Sequence, residues 1–208
     1  MNRLQIKVGT IVFNCIFTLF LCVFIVFAVR FGSCFGAAER IPHTENYEVM
    51  RILLYGSSST ESGDTVSAVI SLLDTAGNEC AVIERSWKGS SLAVDFSSAE
   101  FSGKRLLFPQ AVYGRESFYE RRGFAGEKSG TSLAHYYNEN GQCMLFGTGT
   151  TYENRQDLYR LSRFALSPAS FLTAGFSKKY TADLSRCETG VYYSIVTDSR
   201  GKLEIRRD

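Results

Sequence analysis

Histidine is almost missing from this 208-residue chain, which carries only His43 and His135. There is no H-x-x-x-H and no H-E-x-x-H, so a histidine-rich metal site is excluded. The six cysteines (Cys15, Cys22, Cys34, Cys80, Cys143 and Cys187) include no C-x-x-C pair, and zinc or thioredoxin-like chemistry finds no support. No G-x-S-x-G occurs, so the nucleophile elbow of hydrolases is missing. A dominant charge is lacking too: 23 Lys+Arg stand against 21 Asp+Glu, for a net charge of +2. That balance argues against a strongly basic nucleic-acid binder and against an acidic disordered tail. With three Pro there is no Pro-rich linker, and a 45% hydrophobic, 13% aromatic composition argues against disorder.

One feature is abundant. Val8 to Val29 (VGTIVFNCIFTLFLCVFIVFAV) is a run of 22 residues without a charge. As a helix it measures about 33 Å, against a hydrocarbon core of about 30 Å. A spanning helix satisfies its own backbone hydrogen bonds, so lipid can surround it. A 22-residue helix apolar on every face is hard to bury in a domain this small. The run is longer than the apolar region of a signal peptide, which favours an uncleaved anchor over residues 1–30. Two alternatives stay open. Gly36-Ala37-Ala38 would suit a signal peptidase, giving a secreted product, and Phe31-Gly32-Ser33-Cys34 resembles a loose lipobox, giving a lipid anchor at Cys34. Arg30 counts against both. Arg3, Lys7 and the terminal amine precede the run, and Arg30 and Arg40 follow it. The flanks nearly tie, and the free amine tips the orientation toward residues 31–208 lying outside the cytoplasm.

Cys80, Cys143 and Cys187 stand in the remaining chain at separations of 63 and 44 residues. Three ordinary, partly buried thiols are one reading. A Cys143–Cys187 or Cys80–Cys187 bridge would fit an oxidising compartment, and sequence does not choose.

Residues 31–46 read as a tether of Gly, Ala, Pro42 and charges without period. Residues 47–208 read as a single domain, large enough to bury its own core. Glu48–Tyr55 is a strand expected to stop at Gly56-Ser57-Ser58-Ser59. Thr65–Asp74, with Val66, Ala68, Ile70 and Leu72 on one face, turns at Thr75-Ala76-Gly77-Asn78 into Glu79–Trp87. Leu92, Val94 and Phe96 alternate with Ala93 and Asp95, and Lys104–Tyr113 follows with Pro109 favouring an edge. Ser132–Asn140 reads as a short helix capped by Gly141, and Gln142–Phe146 as a strand. Thr150 and Glu153 fit a capping box opening a helix to about Leu166, and Ser167-Pro168 starts another ending at Gly175. Gly190–Thr197 and Lys202–Arg207 close as a hairpin. Strands first, helices later and a final hairpin predict an α+β fold: a mainly antiparallel sheet with two or three helices in its C-terminal half.

Residues 114–130 (GRESFYERRGFAGEKSG) predict a long loop or flap. Its Arg115, Arg121 and Arg122, with Phe118, Tyr119 and Phe124, form a candidate surface for an anionic or sugar ligand. The plainer reading is a solvated loop pinned by its aromatics. Phe146-Gly147-Thr148-Gly149-Thr150 follows a predicted strand and opens a predicted helix, so Gly147, Gly149 and Thr150 are a weak anion-site candidate. Tyr152 replaces the third glycine of a dinucleotide fingerprint, and no parallel βαβ unit follows. His135 with a loop serine or an acidic pair is the basis for a membrane-tethered hydrolase. Ser199-Arg200-Gly201-Lys202 matches S-x-x-K by letters alone, because a hairpin turn is expected there. No catalytic, cofactor or metal residue is assigned.

Leu72–Pro109 (LLDTAGNECAVIERSWKGSSLAVDFSSAEFSGKRLLFP) resembles a segment of small uncharacterised spirochaetal envelope proteins. The resemblance implies a bacterial envelope setting and carries over no functional residue. The expectation is therefore a single-span membrane protein, with lipid around residues 8–29 and an extracytoplasmic domain that binds a protein or glycan partner. The tethered hydrolase is the alternative, and nucleic acid is not an expected partner.

Overall fold

A computed structural model describes residues 2–42, 46–60, 63–115, 130–147, 150–167, 173, 175–198 and 202–208, with backbone only for residues 2–11. The chain begins with one helix, α1 (Asn2–Arg40), of 39 residues. Strands β1 (Tyr47–Thr60), β2 (Gly63–Leu73), β3 (Glu79–Lys88), β4 (Leu92–Phe101) and β5 (Lys104–Gly114) follow. Then come β6 (Thr131–Ser132), α2 (Ala134–Tyr137), β7 (Asn138–Glu139), β8 (Gln142–Cys143), a 3-10 turn at Met144–Phe146 and α3 (Tyr152–Ala165). The chain ends with β9 (Lys179–Asp183), β10 (Tyr192–Thr197) and β11 (Leu203–Arg207). The fold is α+β and its strand pairs are antiparallel.

A five-stranded sheet runs β11-β10-β1-β2-β3, a four-stranded sheet β6-β5-β4-β9, and β7 pairs β8 in a small ribbon. Both large sheets contribute to one buried apolar cluster. The β2–β3 hairpin forms as its alternation predicts, with Val66, Ala68, Ile70 and Leu72 at 0–4% exposure on the core face. Asp74 builds its turn by accepting from the backbone N–H groups of Ala76 (2.8 Å) and Asn78 (2.9 Å). Trp87, on β3, buries its ring and donates from Nε1 to Thr131 Oγ1 at 3.0 Å.

Several local expectations are corrected. β1 does not stop at Gly56: a bulge between Leu54 and Gly56 lets it continue to Thr60, paired to β2 and exposed. β4 lies between β5 and β9 and is covered on both faces, so Ala93 and Asp95 are buried along with Leu92, Val94 and Phe96. Pro109 sits in β5 at the bulge where Gln110 is extra, and β6 flanks β5 only at Ala111 and Val112, so the missing N–H breaks no ladder. The helix expected over Ser132–Asn140 shortens to four residues, and Asn140 (φ 50°) and Gly141 (φ 76°) instead turn β7 into β8. The strand expected over Gln142–Phe146 is two residues followed by the 3-10 turn. α3 is capped one residue later than expected: Thr151 Oγ1 accepts from Asn154 N, while Thr150 Oγ1 donates to Gly147 O. β9, at the edge beside β4, is a strand the sequence reading missed. The helix expected from Ser167-Pro168 lies largely outside the described residues.

The correction with most consequence concerns the tether. Residues 31–40 continue α1 for about three turns beyond the apolar run. The small side chains of Cys34, Ala37 and Ala38 form a close-packing face at 4%, 0% and 2% exposure, continued just past the helix end by Ile41 at 1%. Helical spacing explains the stripe, since 34, 37, 38 and 41 fall three or four residues apart.

Candidate functional site

The junction where α1 enters the domain is held in three ways. Apolar packing comes first. Phe31 and Phe35 of α1 meet Phe101 of β4, Phe164 of α3 and Phe176, with Phe31 edge-on to Phe176 at 4.7 Å and to Phe101 at 5.4 Å. Such edge-to-face pairs suit the ring quadrupole and add to the area term. An ion pair comes second. Arg40 places Nε at 2.6 Å and Nη2 at 2.8 Å from the two oxygens of Asp157, a bidentate fork onto a carboxylate 3% exposed. Arg160 Nη1 adds a third contact to Asp157 at 2.8 Å. The Asp157 carboxylate beside Arg40 raises that guanidinium's pKa further above its usual value. Third, Lys104 Nζ donates to the carbonyls of Ala38 (2.9 Å), Glu39 (3.2 Å) and Ile41 (2.6 Å), the orphan acceptors of the helix end. A cation there also suits the negative end of the helix dipole.

The apolar run begins at the same junction. Phe13, Phe17, Leu19, Phe20, Val26 and Val29 are 57–69% exposed, so among the described residues this part of α1 is left largely uncovered. It is the one helix among the described residues long and apolar enough to cross a membrane. Beside it opens a groove of about 1150 Å³ bounded by α1, α2 and α3. Its lower wall is Cys22, Val23, Val26 and Phe27; its upper wall carries Arg30, Ser33, His135, Arg160 and Arg163. Two turns of α3 place Arg160 and Arg163 on the side facing α1, while Leu158, Leu161 and Ala165 turn into the core. Arg30 and Arg163 are exposed and make no ion pair among the described residues.

Of the described residues singled out from sequence, His135 lines this groove, whereas Arg115, Gly147 and Thr150 do not. Arg115 pairs through Nη1 with Asp183 Oδ2 at 2.6 Å. Burial tends to raise the Asp183 pKa, but the Ser185 N–H and Arg115 outweigh it and hold the carboxyl below its usual value. Tyr119, Arg121, Arg122 and Phe124 lie outside the described residues. Tyr113, at the start of that loop, is no part of an exposed aromatic patch: its ring is 7% exposed and its hydroxyl donates to Asp95 at 3.0 Å. Gly149 lies outside the described residues as well. Gly147 adopts φ 81° with the Asp74 carboxylate packed against it, and Thr150 spends its hydroxyl on Gly147 O. A negative side chain at that turn opposes a second anion.

His135 is exposed and its ring lies 4.1 Å from that of Tyr136. It lines the groove with Ser132 and Ser167, but no hydrogen bond joins it to a serine or carboxylate among the described residues. The six cysteines are free thiols. Burial pushes Cys143 up to about 12 and Cys80 up to about 11, which keeps both protonated and unreactive at neutral pH. Among the described residues no group of three His, Cys, Asp or Glu side chains is placed to hold a metal.

What sequence reasoning missed is that Arg30 lines the same groove as Arg160 and Arg163. The signal was there: basic residues three apart on a helix, and a single Arg closing the apolar run. Their convergence depends on α1 packing against α3, which no local pattern encodes. Comparison with protein-family models, with curated proteins and with solved structures finds no match to this chain.

Proposed function

We propose that this chain is a single-span membrane protein. Residues 8–29 lie in the bilayer, the domain stands outside the cytoplasm, and that domain acts as a binding module at the membrane surface rather than as an enzyme. The observation that carries the reading is the continuity of α1. An exposed apolar stretch passes without a break into a segment whose Ala37, Ala38 and Ile41 are core residues. Exposed apolar area on this scale is stable only against lipid or another apolar surface.

The same continuity supports an uncleaved anchor. Cleavage after Ala38 would remove Cys34, Ala37 and Ala38 from the core, and acylation of Cys34 would need a buried thiol. A bacterial envelope is the setting we propose, following the resemblance over residues 72–109. The binding reading is favoured over the hydrolase because the groove at the junction presents cations and apolar surface without a joined acid–base pair.

Protease accessibility tests it. In spheroplasts, added protease should digest the domain, whereas in intact inverted vesicles the domain should be protected. Protection in spheroplasts would reverse the orientation, and recovery of the intact chain in the soluble fraction would remove the membrane reading.

A further inference from the structure

The groove beside Arg30 has a chemistry that anchoring alone does not require. Its charged wall has one sign. Arg30, Arg160 and Arg163 line it with His135, and no Asp or Glu does so among the described residues. Asp157 compensates Arg160 only in part, since the same carboxylate is gripped by Arg40. Along the α1 wall the charge is confined to one end, the lower end being apolar. From Cys22 through Val23, Val26 and Phe27 to Arg30, Ser33 and Cys34, the α1 wall rises about 18 Å at 1.5 Å per residue. The apolar part falls inside the run assigned to the bilayer, and the cationic part at its boundary. Hydroxyl and amide groups of Ser132, Asn138 and Ser167 stand at the upper end.

We propose that this groove binds one anionic phospholipid of the surrounding bilayer. The phosphate sits between the guanidinium groups of Arg30 and Arg163, with Arg160 and His135 beside it, and an acyl chain follows Val23, Val26 and Phe27. Guanidinium forks match phosphate oxygens in two parallel hydrogen bonds, and the long Arg side chain lets its apolar stem lie in the groove while the head meets the phosphate. A free inorganic anion would leave the apolar half unused, and a neutral zwitterionic lipid would leave the excess positive charge uncompensated. The inference rests on the membrane reading above and goes further by naming the ligand class.

The test uses the full chain purified in a neutral detergent. Retention of dioleoylphosphatidylglycerol, of dioleoylphosphatidylcholine and of inorganic phosphate is compared by native mass spectrometry and by the shift in unfolding midpoint. The expected result is one phosphatidylglycerol retained at least about tenfold more tightly than phosphatidylcholine, with no shift from phosphate alone. Arg163→Gln, and the pair Arg30→Gln with Arg163→Gln, should erase the preference. Both side chains are exposed, so the lipid-free midpoint should not move and serves as the folding control. Equal retention of the two lipids, or an unchanged preference in the variants, overturns the proposal. A midpoint shift from phosphate equal to that from phosphatidylglycerol also overturns it, since the site would then be one for free anions. Alkaline extraction of membranes reads the underlying placement separately: a chain that stays in the membrane but shows no lipid preference defeats this inference alone.

Discussion

Ile41→Ala separates a tether from a structural element. On a tether the change would cost nothing. Here the side chain is 1% exposed, in the same core cluster as Ala37, Met50 and Ile52, and the residue's carbonyl accepts from Lys104 at 2.6 Å. Burying such a side chain is worth about 1.5–3 kcal/mol in transfer alone, and the cavity left behind brings measured Ile→Ala costs to about 2–5 kcal/mol. Ile41 lies at a helix end, where neighbours can partly close the gap, so about 2–4 kcal/mol is expected, out of a total of about 5–15 kcal/mol for a domain. The assay is urea unfolding of the full chain in mild detergent. Trp87 is the single tryptophan and is buried, so its fluorescence reports the domain. With a slope of about 2 kcal/mol per molar, the midpoint should fall by about 1–2 M. Val29→Ala is the matched control: that side chain is 67% exposed and faces detergent or lipid in both states, so its cost should stay within about 0.5 kcal/mol. Superimposed curves for wild type, Ile41→Ala and Val29→Ala would refute the placement of residues 34–41 in the core.

Other substitutions probe the remaining fastenings. Asp157→Asn removes the negative charge and one of the two oxygens that accept from Arg40 and Arg160; both guanidinium groups reach water, so a loss of about 1–3 kcal/mol is expected in the same urea assay. Lys104→Met leaves three carbonyls at the end of α1 without their donor and should cost about 1–2 kcal/mol, with the loss insensitive to salt if hydrogen bonding dominates. Gly114→Ala should fail to give a folded domain, read as loss of the Trp87 transition, because a Cβ there would collide with the Lys88 carbonyl where β5 passes the β3–β4 turn. The Cys143 thiol is raised by burial from about 9 to about 12. Its contribution is therefore complete below pH 9 and is lost as pH rises toward 12, where the unfolded thiol ionises first. Melting midpoints measured across that range should fall less steeply in Cys143→Ala.

The sequence made the sheet half of the molecule readable because its pattern is local. Period-two alternation in Val66–Leu72 and Ile83–Trp87 and the Gly77-Asn78 turn specify a hairpin without help from the rest of the chain. α3 was readable for the same reason, through Leu158, Leu161 and Ala165. The errors arise where composition misleads or where distant packing decides. Gly32, Ser33, Gly36, Ala37 and Ala38 look like a linker by composition, yet small side chains also allow a helix to pack closely. Asn140-Gly141 is equally good as a helix stop and as a hairpin turn, and pairing with Gln142–Cys143 settles it. β9 is a short edge strand whose Lys179–Asp183 sequence has weak alternation and takes its form from β4. The groove was invisible for the strongest reason: its walls come from residues about 100 or more positions apart in sequence, brought together by the five-phenylalanine junction.

The most direct test of the central claim, that one continuous helix both spans the bilayer and completes the domain core, is the intact mass of the protein recovered from alkali-washed membranes. The account predicts a membrane-retained species in which residues 8–41 are still joined to β1. A folded, freely soluble product beginning after Ala38, with a cooperative Trp87 transition as steep as that of the full chain, would contradict it.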